Sequence, residues 1–257
     1  MSLNEVTVAF GGLTALEDVS VAVDSGEVVG VIGPNGAGKT TLFNVACGFV
    51  RPRSGHILWE GKPLSNHKPH QLASLGISRT LQGVGLWPRL TVLENVIAGL
   101  HVAAKADFGS ALLGLPRSSR DERRLSQRAR DALEKLGVAE WAGRLPGELP
   151  YGVQKRVSLA RALAGEPRLL LLDEPASGLS LSEMQELGGT VRGLRDRMGV
   201  LLVEHHMDLV MSVCDRIVVL DFGRVIASGT PAEVRANPEV TRAYLGEDVS
   251  QVTGSLE

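Results

Sequence analysis

An α/β fold with a mixed sheet and a helical insertion is what this sequence predicts, and three observations predict it. Short, nearly unbroken apolar runs of strand length, Glu27–Ile32, Leu169–Leu172 and Val200–Val203, recur with helical stretches between them, the pattern of strands covered on both faces. The opening stretch, Val6–Val23, alternates apolar and polar residues around a Phe10-Gly11-Gly12 turn, as an antiparallel pair does. From about Leu90 to Ala164 strand signals vanish and helical periodicity takes over. With 257 residues, 44% hydrophobic and 22% charged, the chain is long enough to bury a real core as one large domain or a domain with a subdomain.

Taken in order, the elements read as follows. After the antiparallel pair, the Glu27–Ile32 strand runs into a glycine-rich loop. Thr40–Phe49 then reads as a helix with Leu42, Phe43, Ala46 and Phe49 on one side. Ser54–Gly61 reads as a further strand with turns at both ends. In the insertion, Asp121–Leu136 carries Leu125, Ala129, Ala132, Leu133 and Leu136 on one stripe, and Gly137 stands where a helix C-cap belongs. Arg120, Arg123, Arg124, Arg128 and Arg130 accompany that stripe. The interleaved Asp121, Glu122, Asp131 and Glu134 make it a solvated face rather than a site for RNA or acidic lipid. Strands return at Leu169–Leu172 and Val200–Val203, with a helix at Ser182–Arg197 between them. Arg216–Leu220 and Arg224–Ala227 flank Asp221-Phe222-Gly223, a hairpin signal. The polar tail from Gln251 is expected to fray, and there is no internal repeat.

Composition excludes several classes of function. Lys plus Arg number 27 and Asp plus Glu 29, a net charge of −2, so there is no electrostatic case for nucleic acid as a partner. No apolar run approaches the roughly 18 residues that cross a bilayer. The opening residues lack the basic-then-apolar order of a leader, so secretion is not expected. Cys47 and Cys214 lie in apolar sequence without metal-like spacing and read as free thiols. Any membrane role is therefore expected to come through a partner.

Gly33-Pro34-Asn35-Gly36-Ala37-Gly38-Lys39-Thr40 fits G-x-x-x-x-G-K-[ST] at every position, after a strand and before a helix. Glycines let consecutive N–H groups converge on phosphate oxygens, and the helix N-terminus adds positive potential. Lys39 is suited to the β- and γ-phosphates and the Thr40 hydroxyl to Mg²⁺; Thr41 completes the nucleotide-binding run. Kinases, GTPases and motor ATPases share this loop, so it leaves the use of the nucleotide open. Downstream, Leu169–Leu172 runs directly into Asp173-Glu174-Pro175. A carboxylate ending a buried strand beside a phosphate loop is placed to hold Mg²⁺, the role expected of Asp173, and Glu174 is the candidate to orient or deprotonate the attacking water.

With these come Ser78-Arg79-Thr80-Leu81-Gln82, then Leu149-Pro150-Tyr151-Gly152-Val153-Gln154-Lys155-Arg156 followed by Ala160-Arg161-Ala162-Leu163, and His205 at the end of the Val200–Val203 strand. In this order and spacing the chain, from about Leu3 to Gly246, resembles the ATP-binding subunit of ABC transporters. The resemblance implies a P-loop NTPase of ABC type: a mixed sheet core with an antiparallel β subdomain (3–85 and 165–246), a helical signature subdomain (86–164) and a tail (247–257), together one ATPase domain over 1–257. It implies ATP and Mg²⁺ as ligands. Gln82 takes a catalytic and metal-contacting role, His205 contacts the γ-phosphate, Phe10 stacks on adenine, and Tyr151 and Gly152 face nucleotide. The residues alone do not separate His205 from the adjacent His206; only the resemblance selects His205. The partners implied are a second ATPase subunit, identical or different, two transmembrane permeases and, indirectly, a solute-binding protein, at the cytoplasmic face of the inner membrane. Trp87 and Pro88 are the expected contact with the permease.

Phe10-Gly11-Gly12-Leu13, Arg79-Thr80-Leu81-Gln82, the long helical insertion and Ala243-Tyr244-Leu245-Gly246 are similar to the longer ATPase of branched-chain amino-acid importers. An importer of another small solute such as urea or an amide, a soluble ABC-type ATPase acting on DNA or ribosomes, and a binding-only regulatory module stay open as alternatives. The chain departs from the family's L-S-G-G-Q signature, with Pro150 for serine, Tyr151 for the first glycine and Val153 for glutamine. Proline has neither a hydroxyl nor an N–H, so a weaker contact with the facing subunit's ATP is expected. Ser180 stands where many relatives carry aspartate. Together these departures lead to the expectation of an asymmetric pair with one slow site.

Overall fold

The computed structural model of the chain describes residues 1–80, 83–103 and 116–244, with secondary structure alone at 101–103 and 116–122. Strands β1 (Ser2–Phe10) and β2 (Leu13–Ala22) pair antiparallel across the Gly11-Gly12 turn, and a shift of register between Leu3 and Val6 lets Leu3, Val6 and Val8 all face inward along β1. Next come β3 (Val28–Ile32) and helix α1 (Lys39–Ala46). The helix is shorter than the expected Thr40–Phe49: Cys47 is its C-cap and Gly48 turns the chain at φ 75°. Phe49 lies beyond it, half-exposed, with the Arg79 guanidinium 4.3 Å above its ring. The expected strand at Ser54–Gly61 is β4 (Ser54–Trp59), ended by a turn in which Glu60 and Gly61 both take positive φ, and a two-residue strand, β5 (Lys62–Pro63), follows it. Strand β6 (Ile77–Arg79) was not expected from the sequence, because three residues with polar Ser78 and Arg79 carry no readable period.

The insertion is helical: α2 (Val92–Ala103), α3 (Pro116–Lys135) and α4 (Tyr151–Leu163). Gly137 takes φ 62°, and the Val138 N–H reaches back to Leu133 O at 3.0 Å, closing α3 as its glycine suggested. The chain continues through β7 (Leu169–Asp173), α5 (Leu181–Leu194), β8 (Gly199–Val203), α6 (Met207–Val213), β9 (Arg216–Asp221), β10 (Arg224–Gly229) and α7 (Pro231–Ala236). Helix α5 stops at Leu194, short of the expected Arg197.

Two sheets result, one of four strands ordered β2-β1-β4-β5 and one of six ordered β10-β9-β3-β8-β7-β6. In the larger sheet β9, β3, β8, β7 and β6 run parallel and only β10 is antiparallel. Its central strands explain their continuous apolar runs. Val29, Val31, Leu169 and Leu171 enter a core shared with α1 and the smaller sheet, whereas Val28, Ile32, Leu170 and Leu172 enter a second core under α5 and α6. Full burial of each such side chain stabilises the fold by about 1.5–3 kcal/mol. Helices α2, α3 and α4 close a third core around Val92, Val96, Leu133 and Val157.

Candidate active site

Strands β3, β8 and β7 are neighbours and parallel, so their C-terminal ends open side by side. At the end of β3 the glycine-rich loop turns tightly. Gly33 takes φ 151°, and a Cβ there would lie 2.1 Å from the Leu220 carbonyl oxygen; at Gly38, φ 102°, a Cβ would lie 2.7 Å from that of Ala15. Only glycine fits either place. The outside of the loop is stitched to the hairpin of β9 and β10: the Gly223 N–H donates to Ala37 O (3.1 Å), and the Glu17 N–H to Gly223 O (2.8 Å). Lys39 is buried and donates to Gly33 O (2.6 Å) and Pro34 O (2.7 Å), so the loop wraps around its ammonium. Pro34 and Ala37 are buried, Asn35, Gly36 and Thr40 are exposed, and Thr41 is half-buried. Helix α1 starts here with no side-chain cap and no acid in its first turn. Its first N–H groups therefore face out with positive potential, an arrangement that binds phosphate.

The acidic pair ends β7. Glu174 takes φ 45°, left-handed for a non-glycine residue, a conformation costing on the order of 1–3 kcal/mol. It is held by its own N–H to Val203 O (2.9 Å), and its carbonyl accepts from the Ser177 N–H (3.2 Å) and Lys155 Nζ (3.4 Å). The Asp173 carboxyl is pushed up to about 6, first by burial and then by Glu174 and Glu204, with Arg79 opposing. Carboxylate crowding of this kind is the setting in which a divalent cation holds the acids ionised. The Asp173 carboxylate and the Thr40 hydroxyl are both hard oxygen donors, the ligand type that suits Mg²⁺.

At the end of β8 the two histidines divide. His205 is exposed, its Nδ1 between the two carboxylates at 3.9 Å from Glu174 Oε1 and 3.8 Å from Glu204 Oε2, whereas His206 hydrogen-bonds Glu204 Oε2 through its Nδ1 at 2.9 Å. Glu204, fully buried, also accepts from the backbone of Ala176, His205 and His206. Sequence reasoning missed Glu204, although a signal was there: a carboxylate ending the apolar run of β8 directly before two histidines.

The loop from Gly33 to Thr41, Asp173, Glu174 and His205 thus gather at the ends of three adjacent strands. Phe10 closes β1, half-exposed. Tyr151 and Gly152 open α4 and pack elsewhere: a Cβ on Gly178 would lie 2.9 Å from the Tyr151 ring, and one on Gly152 would lie 1.9 Å from Glu183 Oε1. Gln82 lies outside the described residues.

Comparison with known proteins places these features in a wider set. The ABC transporter family model matches residues 16–177, and that of the branched-chain amino acid ATP-binding cassette transporter matches 224–250. The chain is 42% identical over 249 residues to the high-affinity branched-chain amino acid transport ATP-binding protein LivG of Escherichia coli K12, covering 96% of this chain and 98% of LivG. Its fold is similar to the ADP conformation of MJ1267, an ATP-binding cassette of an ABC transporter, with a TM-score of 0.82 at 31% identity, covering 95% and 98% of the two chains. It is also similar to the cassette MJ0796, solved as a dimer in a post-hydrolysis state bound to ADP and Pi (TM-score 0.75, 26% identity, covering 90% and 99%).

Proposed function

The chain belongs to the ABC transporter family of ATP-hydrolysing cassettes, and we propose that it powers uptake of branched-chain amino acids, as one of two cassettes seated on separate permease subunits at the cytoplasmic face of a membrane. The solute reading is supported by the extent of identity to LivG and by the match over 224–250. Peripheral attachment is supported by the described residues, in which no helix is long and apolar enough to cross a membrane. Pairing with a second cassette is supported by the dimeric relative.

The observation that carries the catalytic reading is the convergence of the Lys39-wrapped loop with the Glu174–His205 pair at neighbouring strand ends. In this reading the loop amides and Lys39 hold the β- and γ-phosphates of ATP, and Phe10 stacks on the base. Thr40, Asp173 and Gln82 hold Mg²⁺. When bound, that ion neutralises charge on the phosphates as the terminal one departs. Glu174 orients the attacking water and accepts its proton, while His205 contacts the γ-phosphate. Tyr151 and Gly152 face the nucleotide of the partner cassette. ATP bridging two cassettes favours the closed pair, and loss of the γ-phosphate releases it.

Transmission toward the permease has a structural support. Arg161 of α4 donates to Gly85 O (2.8 Å) and lies 5.1 Å over the Trp87 ring. Buried Asn95 fastens the same turn, accepting from the Trp87 N–H and donating to the carbonyls of Trp87, Leu90 and Thr91. The exposed Trp87 and Pro88 thus move with α4, and we assign them the permease contact.

Glu174→Gln tests the catalytic reading. ATP affinity should stay within a few-fold while turnover falls by about a hundred- to ten-thousand-fold, and an ATP-dependent dimer should accumulate on a sizing column. Wild-type turnover in that variant would remove Glu174 from the role. ATP-driven uptake of labelled leucine by the chain reconstituted with its permeases tests the solute; hydrolysis without leucine uptake would reassign it.

A further inference from the structure

We propose that Glu204 and His206 form a clamp that positions Glu174 and His205 for hydrolysis. The inference rests on the reading of those two residues as the catalytic pair. Each polar contact of the buried carboxylate reaches one of the two strand ends. Glu204 Oε1 accepts the Ala176 N–H at 2.8 Å, two residues beyond Glu174 on the β7 side. Its Oε2 accepts three donors on the β8 side: the His205 N–H (3.0 Å), the His206 N–H (3.3 Å) and His206 Nδ1 (2.9 Å). The Glu204 N–H itself donates to Val31 O at 3.3 Å, linking the clamp to the strand that leads into the phosphate loop.

A fully buried carboxylate is costly to keep and is tolerated only when its lone pairs are filled. Among the described residues, the donors come from segments that carry the catalytic pair and not from the surrounding core. Glu174 is also held in a left-handed conformation that its own side chain does not favour, so something beyond it must fix the turn. The bond to Ala176 does so from the far side. His206 supplies an Nδ1–H donor and serves as the carboxylate's anchor, which leaves His205, not His206, to face Glu174. Adjacent histidines therefore have separate duties: one meets the nucleotide, and the other holds the residue that sets the distance between the pair.

The test compares Glu204→Gln, His206→Asn and His206→Ala with Glu174→Gln in the purified full-length chain. Turnover, KM for ATP and nucleotide affinity are measured separately, and thermal melting checks the fold. Glutamine presents an N–H face to at least one of Glu204's donors, so E204Q should lower kcat by about tenfold or more while ATP affinity stays within about threefold. His206→Asn keeps an N–H where Nδ1–H stood and should retain most of kcat; His206→Ala should not. If E204Q turns over like wild type while E174Q is dead, the clamp is refuted and the catalytic reading stands. If E174Q itself turns over normally, the catalytic reading fails first. If E204Q does not fold, the two His206 variants decide, and equal loss in both would overturn the clamp.

Discussion

The phosphate loop and the start of α4 are both glycine-bearing helix N-termini, yet they are built on opposite principles. The loop is closed in on itself. Gly33 and Gly38 sit under backbone carbonyls, Lys39 fills its centre, and bonds from the β9–β10 hairpin hold its outside. The start of α4 faces outward, with Tyr151 exposed and Pro150 at the N-cap offering no side-chain bond. Its glycine, Gly152, needs no positive φ, and a Cβ there would meet the Glu183 carboxylate of α5, the end of a side chain that can shift. The difference teaches that one end is a finished half-site, whereas the other, in the function proposed above, presents its chemistry to a second cassette. Substitutions at the first should abolish binding. At the second they should adjust rates and local stability.

The contrast breaks if the loop tolerates change. Lys39→Ala removes the cation around which the loop folds and its charge toward phosphate, and should lower ATP hydrolysis by about a hundredfold or more. Nucleotide titration should show binding lost with it. Gly33→Ala places a methyl 2.1 Å from a carbonyl oxygen that belongs to β9 and cannot swing aside. It should reduce stability by about 1–3 kcal/mol and weaken nucleotide binding, read by thermal melting with and without ATP. A normal melt and normal affinity for this variant would mean that the loop is less constrained than its geometry indicates.

How much of this was readable beforehand follows the same divide. Loop, acidic strand end and buried strands are local patterns, each with its own period or spacing, and the strands formed where their apolar runs lay. Three things were not readable. Strand β6 is defined by pairing with β7, not by its own three residues. The length of α1 was set by Gly48, whose positive φ outweighed the apolar Phe49. Glu204 gains its meaning only when Ala176 and His206, far apart in sequence, come within hydrogen-bonding distance. The separation of His205 from His206 was likewise a three-dimensional matter, since the two are adjacent in sequence and differ in what their rings reach.

The outer region yields smaller effects. Ser180 is the N-cap of α5, its hydroxyl accepting the Glu183 N–H while the Glu183 carboxylate accepts the Ser180 N–H at 2.8 Å. The serine that replaces the family's aspartate thus does local structural duty. Ser180→Ala should cost about 1 kcal/mol by thermal unfolding. Gly152→Ala pushes on that same Glu183 carboxylate, so combining the two should cost less than their sum. Full additivity would separate the two residues.

The smallest effect expected is at Pro150, and it sharpens the comparison most. Pro150→Ser introduces a hydroxyl that has two possible partners: the uncapped N–H groups of its own α4, or the ATP held by a facing cassette. Capping alone would raise the melting temperature of the isolated chain by a few degrees, equivalent to about 0.5–1 kcal/mol, and leave hydrolysis unchanged. Contact with the facing nucleotide would raise ATPase by a few-fold in the assembled complex only. Pro150→Ala, which lacks both hydroxyl and ring, serves as the reference for each. We expect both gains, because the ring at the N-cap blocks either use of that position. A melting gain with no rise in rate would confine the helix end to a structural role and remove the ground for expecting a slow site.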